Sequence, residues 1–258
     1  MELGLKDKRV LITGGSKGIG LACARAFIAE GARVAIVSRS QANLDAAKKE
    51  LKNCYCIAGD LIDAAAAARV VEKTESDFGP IDVLVNSAGA AKRTNADDLT
   101  PQAWRAAMDA KYFTYINVID PLVKRMAERG GGVIVNIIGS GGKLASPIHL
   151  PGGAANAALM LATAGLANAY AAKGVRVVGI NPGLTNTSRV AEGLKADAKR
   201  EGISEDEALA RAVRKLPLGR LAEPGEIADI AVFAASARGR FLTGANISAD
   251  GVSTPTVV

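Results

Sequence analysis

Short apolar runs rich in Val and Ile recur along the chain at 10–13, 33–38, 54–58, 83–86, 133–138, 176–180 and 246–249. Longer stretches with helical spacing of apolar positions lie between them, at 19–30, 41–51, 64–77, 101–128, 153–172 and 224–235. Strands that read as continuous apolar runs belong to parallel sheets covered on both faces, and the intervening helices supply the crossovers. The pattern predicts an α/β fold, a doubly wound sheet of seven parallel strands with helices on both faces, in one domain over residues 1–258. Residues 185–217 depart from the alternation. They carry the charged run Gly193-Leu194-Lys195-Ala196-Asp197-Ala198-Lys199-Arg200 and a helical stretch at 204–215. This segment is expected to form a substrate lid over the carboxyl ends of the strands, where such sheets bind ligands.

Composition narrows the class. Of 258 residues, 49% are hydrophobic, ample for one well-buried core. No apolar run approaches the roughly 18 to 20 residues that span a bilayer, and the amino terminus lacks the apolar stretch of a signal peptide. A soluble, cytoplasmic protein without a membrane partner is expected. The net charge of +6 is spread without a basic run or interleaved aromatics. That argues against nucleic acid and fits a phosphorylated small ligand. Cys23, Cys54 and Cys56 lack paired metal-ligand spacing, and Cys54 and Cys56 alternate onto one strand face, so reduced, buried thiols are expected. His149 is the single histidine, and no metal site is expected.

Thr13-Gly14-Gly15-Ser16-Lys17-Gly18-Ile19-Gly20 follows the first strand and opens the first helix. Its glycines allow a tight turn and close approach of backbone to a pyrophosphate, whose charge then faces a helix N-terminus. With Thr13, Gly14, Gly18 and Gly20 as T-G-x-x-x-G-x-G, this turn resembles the motif of the short-chain dehydrogenase/reductase family. Further matches follow in order: Asp60-Leu61 after the third strand, Asn86-Ser87-Ala88-Gly89 after the fourth, Pro182-Gly183 with Thr187 after the sixth, and Asp250-Gly251. The resemblance implies a Rossmann-like fold and a dinucleotide held by the first turn, Ser16, Lys17 and Ile19 included. It places Asp60 and Leu61 at the adenine, Asn86, Ser87, Ala88 and Gly89 along the adenosine side, and residues 180–187, with Thr185, beside the nicotinamide. It further implies a homodimer or homotetramer built on the helices at 101–128 and 153–172, with 243–258 at another interface.

Charge selects the dinucleotide. The second strand ends Ser38-Arg39, with Lys17 in the neighbouring turn and no carboxylate at the usual ribose-binding place. Two cations favour a 2′-phosphate, hence NADP(H) over NAD(H).

Members of the family reduce or oxidise carbonyls with a Ser, a Tyr and a Lys, assisted by an Asn. Aligned by that resemblance, the four positions read Gly139 for Ser, Gly152 for Tyr, Asn156 for Lys and Lys111 for Asn. Asn156 retains a hydrogen bond for a ribose hydroxyl but no charge. No tyrosine occurs between Tyr115 and Tyr170, and Tyr170 stands about 27 Å along its helix from position 152. Loss of the aromatic ring either widens the pocket or lets the loop collapse inward. Hydride transfer to a carbonyl leaves an alkoxide that needs a proton source. Lys111, Tyr115 one helical turn on, Ser140 and His149 are the candidates, with Lys143 in the same glycine-rich loop. Each has a plainer placement: Lys111 or Lys143 in solvent, Tyr115 in a subunit interface, His149 on a surface loop. Glycines 139, 141, 142, 152 and 153 either form an anion-binding nest or a mobile loop. The leading reading is an oxidoreductase acting on a small carbonyl, alcohol or activated alkene through a nonstandard proton relay. The alternatives are a retired dinucleotide-binding sensor or scaffold, and non-redox chemistry in an enlarged pocket.

Overall fold

The computed structural model describes residues 2–89 and 91–256. The strands are Arg9–Thr13 (β1), Arg33–Ser38 (β2), Cys54–Ala58 (β3), Val83–Asn86 (β4), Gly132–Ile137 (β5), Val175–Pro182 (β6) and Asn246–Ala249 (β7). They form one seven-stranded sheet in the order β3-β2-β1-β4-β5-β6-β7, and each neighbouring pair is parallel. The helices are Gly18–Ala29 (α1), Gln41–Leu51 (α2), Ala64–Phe78 (α3), Pro101–Met108 (α4), Thr114–Glu128 (α5), Leu150–Tyr170 (α6), Ser188–Glu201 (α7), Glu205–Arg214 (α8) and Pro224–Ala235 (α9).

The central strands are mostly apolar because helices cover both faces. Val10 and Ile12 of β1 share one core with Phe27 of α1, Leu44 of α2 and Ile227 and Ala231 of α9. Leu11, between them, points the other way into a second core with Val71 of α3, Leu122 and Met126 of α5 and Leu159 of α6. A fully buried Leu or Ile stabilises the fold by about 2 kcal/mol, so neither face tolerates a polar run. Strand order reverses between β1 and β4, which opens a crevice at the carboxyl ends of the strands.

Several elements differ from the sequence expectation. The helix foreseen over 101–128 is interrupted by a π-helical turn, Asp109–Phe113. There Thr114 donates its hydroxyl to the Lys111 carbonyl at 2.9 Å, and Lys111 leaves the helix surface for the interior. Apolar periodicity runs straight through this turn and gives no sign of it. Helix α6 starts at Leu150 rather than at 153, because Pro151 suits a first turn, where its missing N–H is no loss. Residues 188–201 and 205–214 of the expected lid are two helices, capped by the Thr187 and Ser204 side chains.

The expectation that no segment reaches bilayer-spanning length and apolarity needs correction. Leu150–Lys173 meets both criteria, with a mean hydropathy of 1.3. Here it lies on the sheet, with Ala155, Leu159, Thr163 and Ala167 buried. The thiols are corrected too: Cys23 is buried, whereas Cys54 and Cys56 on edge strand β3 are half-buried, with their sulfurs 3.4 Å apart on the shared face.

Candidate active site

The turn after β1 is held open by backbone packing. Gly14 has φ +65°, and a Cβ there would stand 2.8 Å from the Ala88 Cα; one on Gly20 would collide with the Gly14 carbonyl. A Cβ on Gly18 would lie 3.3 Å from Thr187 Cγ2, so the starts of α1 and α7 meet across the mouth of one cleft. This cleft, about 440 Å³, is lined by Gly14, Lys17, Gly18, Ile19, Ser38, Arg39, Asp60, Leu61, Ser87, Ala88, Gly89 and Thr187. Lys17 and Arg39 are exposed there, and among the described residues neither forms an ion pair with a carboxylate. Asp60 accepts from the Ile62 amide at 3.1 Å and so fixes its own loop.

Four residues expected at the ligand stand behind the cleft wall instead. Thr13, Ser16 and Asn86 are buried, and Gly20 of α1 is buried against the turn at Gly14 and Gly15. Thr13 and Asn86 belong to a buried polar ladder across the sheet. The Thr13 hydroxyl meets Asn86 Oδ1 at 3.2 Å, Asn86 Nδ2 donates to Asn136 Oδ1 at 3.0 Å, and Asn136 Nδ2 donates to Thr163 Oγ1 at 3.0 Å. The Ser87 and Ala88 amides donate back to Thr13 Oγ1 at 3.1 and 3.3 Å. Hydrogen-bonded in this way, buried amides rigidify rather than destabilise a core, and the ladder ties β1, β4, β5 and α6 into one wall.

Beyond Gly89 the cleft continues into a second cavity of about 740 Å³. Lys111, Ile137, Gly139, Ser140, His149, Asn156, Pro182, Gly183, Thr185 and Thr187 line it, covered by Arg189, Val190 and Asp197 of α7. Lys111 reaches it from the π turn. Its Nζ donates to Tyr115 Oη at 3.0 Å and to the Ile137 carbonyl at 3.1 Å, leaving its third N–H for the cavity. Burial, reinforced by Arg189, pulls the Lys111 pKa from 10.5 down to about 7. Tyr115 is fully buried, its hydroxyl donates to the same Ile137 carbonyl, and burial pushes its pKa well above the usual phenol value. The expectation that Tyr115 reacts directly is therefore corrected: it holds Lys111 and has no access to the cavity.

His149 occupies the space in front of Gly152. A Cβ on Gly152 would collide with the imidazole ring. The ring is half-buried, its Nδ1 has no hydrogen-bond partner, and its pKa is lowered by burial and by Arg93, Arg189 and Lys111. Gly139 and Gly141 face the cavity, whereas Gly142 and Gly153 are closed against protein. A Cβ on Gly142 would stand 2.8 Å from the Ala157 nitrogen, and one on Gly153 would stand 2.8 Å from the Gly141 carbonyl. These glycines let the loop lie backbone to backbone on α6. Asn156 Nδ2 faces Gly139 and Gly141, while its Oδ1 is buried and unpaired. Lys143 points away and donates to Ser248 at 3.1 Å.

Sequence reasoning missed Arg93 and Arg189 in this cavity. Arg189 carried a signal: a cation in the first turn of a helix opposes the helix dipole, so its presence there calls for a local reason.

The family profile described as short chain dehydrogenase matches residues 8–198. An acetoacetyl-CoA reductase of Shinella zoogloeoides is 38% identical over 244 residues, covering 93% of this chain and 96% of that protein. Among solved structures, L-sorbose reductase from Gluconobacter frateurii complexed with NADPH and L-sorbose aligns with a TM-score of 0.94 at 30% identity, over 100% of both chains. A variant actinorhodin polyketide ketoreductase with NADPH aligns with a TM-score of 0.93 at 26% identity, over 98% of this chain and 100% of that one. Sheet order, glycine turn and end-to-end similarity agree, and the chain belongs to the short-chain dehydrogenase family.

Proposed function

We propose that this protein is an NADP(H)-dependent oxidoreductase acting on a small carbonyl, alcohol or activated alkene, with Lys111 handling the proton. The residues present suit the cofactor. The cleft walls are cradles that a Cβ at Gly14 or Gly20 would destroy, and Lys17 and Arg39 offer unpaired cations to a 2′-phosphate. Two relatives of known structure carry NADPH, which supports the same choice. When bound, the nicotinamide supplies a hydride to a carbonyl carbon, whose π-bonding pair passes to oxygen, or accepts one in the reverse direction.

The carrying observation is the position of Lys111 at the back of the substrate cavity, anchored by Tyr115 and the Ile137 carbonyl. Its ammonium stabilises negative charge developing on the substrate oxygen and donates a proton to it, leaving a neutral amine. With a pKa of about 7 it exchanges that proton readily at neutral pH. In this reading Gly139, Gly152 and Asn156 stand at the family's Ser, Tyr and Lys positions. His149 fills the vacated phenol volume, Ser140 presents a hydroxyl to the cavity, and Asn156 holds a ribose hydroxyl.

The test is NADPH oxidation over a panel of ketones, aldehydes and enones. Lys111→Met is expected to lower kcat about 100-fold or more, the usual range for losing a general acid. A second reading, binding without turnover, draws on the missing charge at Asn156. It wins if NADPH raises the melting temperature and no panel member is reduced.

A homodimer or homotetramer is proposed on the α4, α5 and α6 faces, where Trp104, Phe113 and Leu161 are exposed. The 243–258 interface draws on Val252, with exposed Phe241 just before the segment; Val257 and Val258 lie outside the described residues. Light scattering that finds only monomer at micromolar concentration would count against both.

A further inference from the structure

Arg189 is placed where a helix disfavours a cation. It is the second residue of α7, whose amino-terminal turn contains no acidic residue, and it lines both the nucleotide cleft and the substrate cavity. Its one hydrogen bond is a long contact, 3.4 Å from Nη1 to the Gly89 carbonyl. Among the described residues it makes no ion pair. The other arginines at the cavity differ. Arg93 and Arg200 both pair with Asp197, at 3.5 and 2.9 Å. That leaves Arg189 uncompensated in a cavity whose wall also carries Lys111. The positive field reaches its neighbours, since Arg189 adds to the downward shifts of both Lys111 and His149. Glu192 is the one remaining carboxylate on the cavity wall and is not paired with Arg189.

We infer that the substrate of this site bears an acidic group, a carboxylate or a phosphate, and that Arg189 grips it while Lys111 faces the reacting oxygen. The inference rests on the oxidoreductase reading and names the substrate class for it. A guanidinium offers a planar fork that matches either anion through paired N–H···O bonds. With both groups lining one cavity, an anion bound at Arg189 orients the reacting carbon.

The experiment uses matched pairs: acetoacetate against its ethyl ester, and dihydroxyacetone phosphate against dihydroxyacetone. The wild-type protein is expected to prefer one acidic member over its neutral partner at least tenfold in kcat/KM, and the preferred pair tells carboxylate from phosphate. Arg189→Ala is expected to reduce that preference at least tenfold, with the loss in KM, and Arg189→Lys to restore part of it. Equal use of acidic and neutral members by the wild type would overturn the inference. So would a loss of NADPH affinity in Arg189→Ala as large as the loss of preference, which would make Arg189 a cofactor ligand. If no compound is turned over, the functional reading fails, and the inference is read from binding alone. Millimolar acetoacetate or dihydroxyacetone phosphate is then expected to raise the melting temperature of the NADPH-saturated wild type but not of Arg189→Ala. No rise with either anion would overturn it.

Discussion

The turn at 14–20 and the loop at 139–153 are both rich in glycine, four residues in seven and five in fifteen, yet the two regions end differently. In the first, Gly14 and Gly20 bring turn, helix and the Ala88 backbone together behind the wall, and the space in front stays open as a cleft. In the second, Gly142 and Gly153 bring the loop down onto α6, and the space in front of Gly152 is taken by His149. Glycine in the one region shapes a ligand site, and in the other it closes protein against protein. A glycine-rich segment beside a cofactor cleft is therefore not by itself a sign of extra room for a ligand.

The difference is sharpest under substitution. Gly20→Ala pushes a methyl into the Gly14 carbonyl, backbone against backbone, with no flexible partner to yield. It is expected to destabilise the fold by about 2–3 kcal/mol and to weaken NADPH binding with it, measured by denaturant unfolding and titration. Gly152→Tyr meets a side chain instead of backbone, and the imidazole can leave. Alone it is expected to destabilise by about 1–2 kcal/mol, and combined with His149→Ala to recover most of that loss. Additive effects in the double variant would contradict the placement of His149. Smaller still is Arg39→Ala at the cleft rim, expected to weaken NADPH about tenfold and leave NADH nearly unaffected, as loss of one charge-assisted contact does.

Much of this contrast is legible in the amino-acid pattern. The alternation of Val- and Ile-rich runs with helical stretches reports the sheet, since β1 and β2 are buried on both faces and so carry no polar residue between Val34 and Val37. The first turn is legible because its glycines answer to local backbone demands. Thr13 and Asn86 stand out as well, but their work differs: they build a ladder inside the wall, a distinction that motif spacing does not carry. The π turn at 109–113 stays hidden because apolar positions recur at helical spacing straight through it, from Trp104 to Met126. For Tyr115, helical spacing indicates that it shares a face with Lys111, and only packing decides which of the two meets the cavity.

That packing also sets a dependence on pH. Lys111 has a pKa of about 7 in the folded protein against an ordinary 10.5, so between these values the unfolded chain binds the extra proton. Stability therefore rises with pH across that window as the cost of holding Lys111 neutral in the fold disappears, and Lys111→Met is expected to lose this slope. Activity runs the other way for reduction, because donation needs the protonated amine.

The most direct test of the proposed proton source is kcat for NADPH-dependent carbonyl reduction measured from pH 6 to 9 on the wild type and on Lys111→Met. The expected result is a wild-type rate that falls about tenfold per unit above roughly pH 7, as loss of one essential proton requires, and a variant that is slow and lacks this break. A variant that keeps the wild-type rate and the same pH break would contradict it.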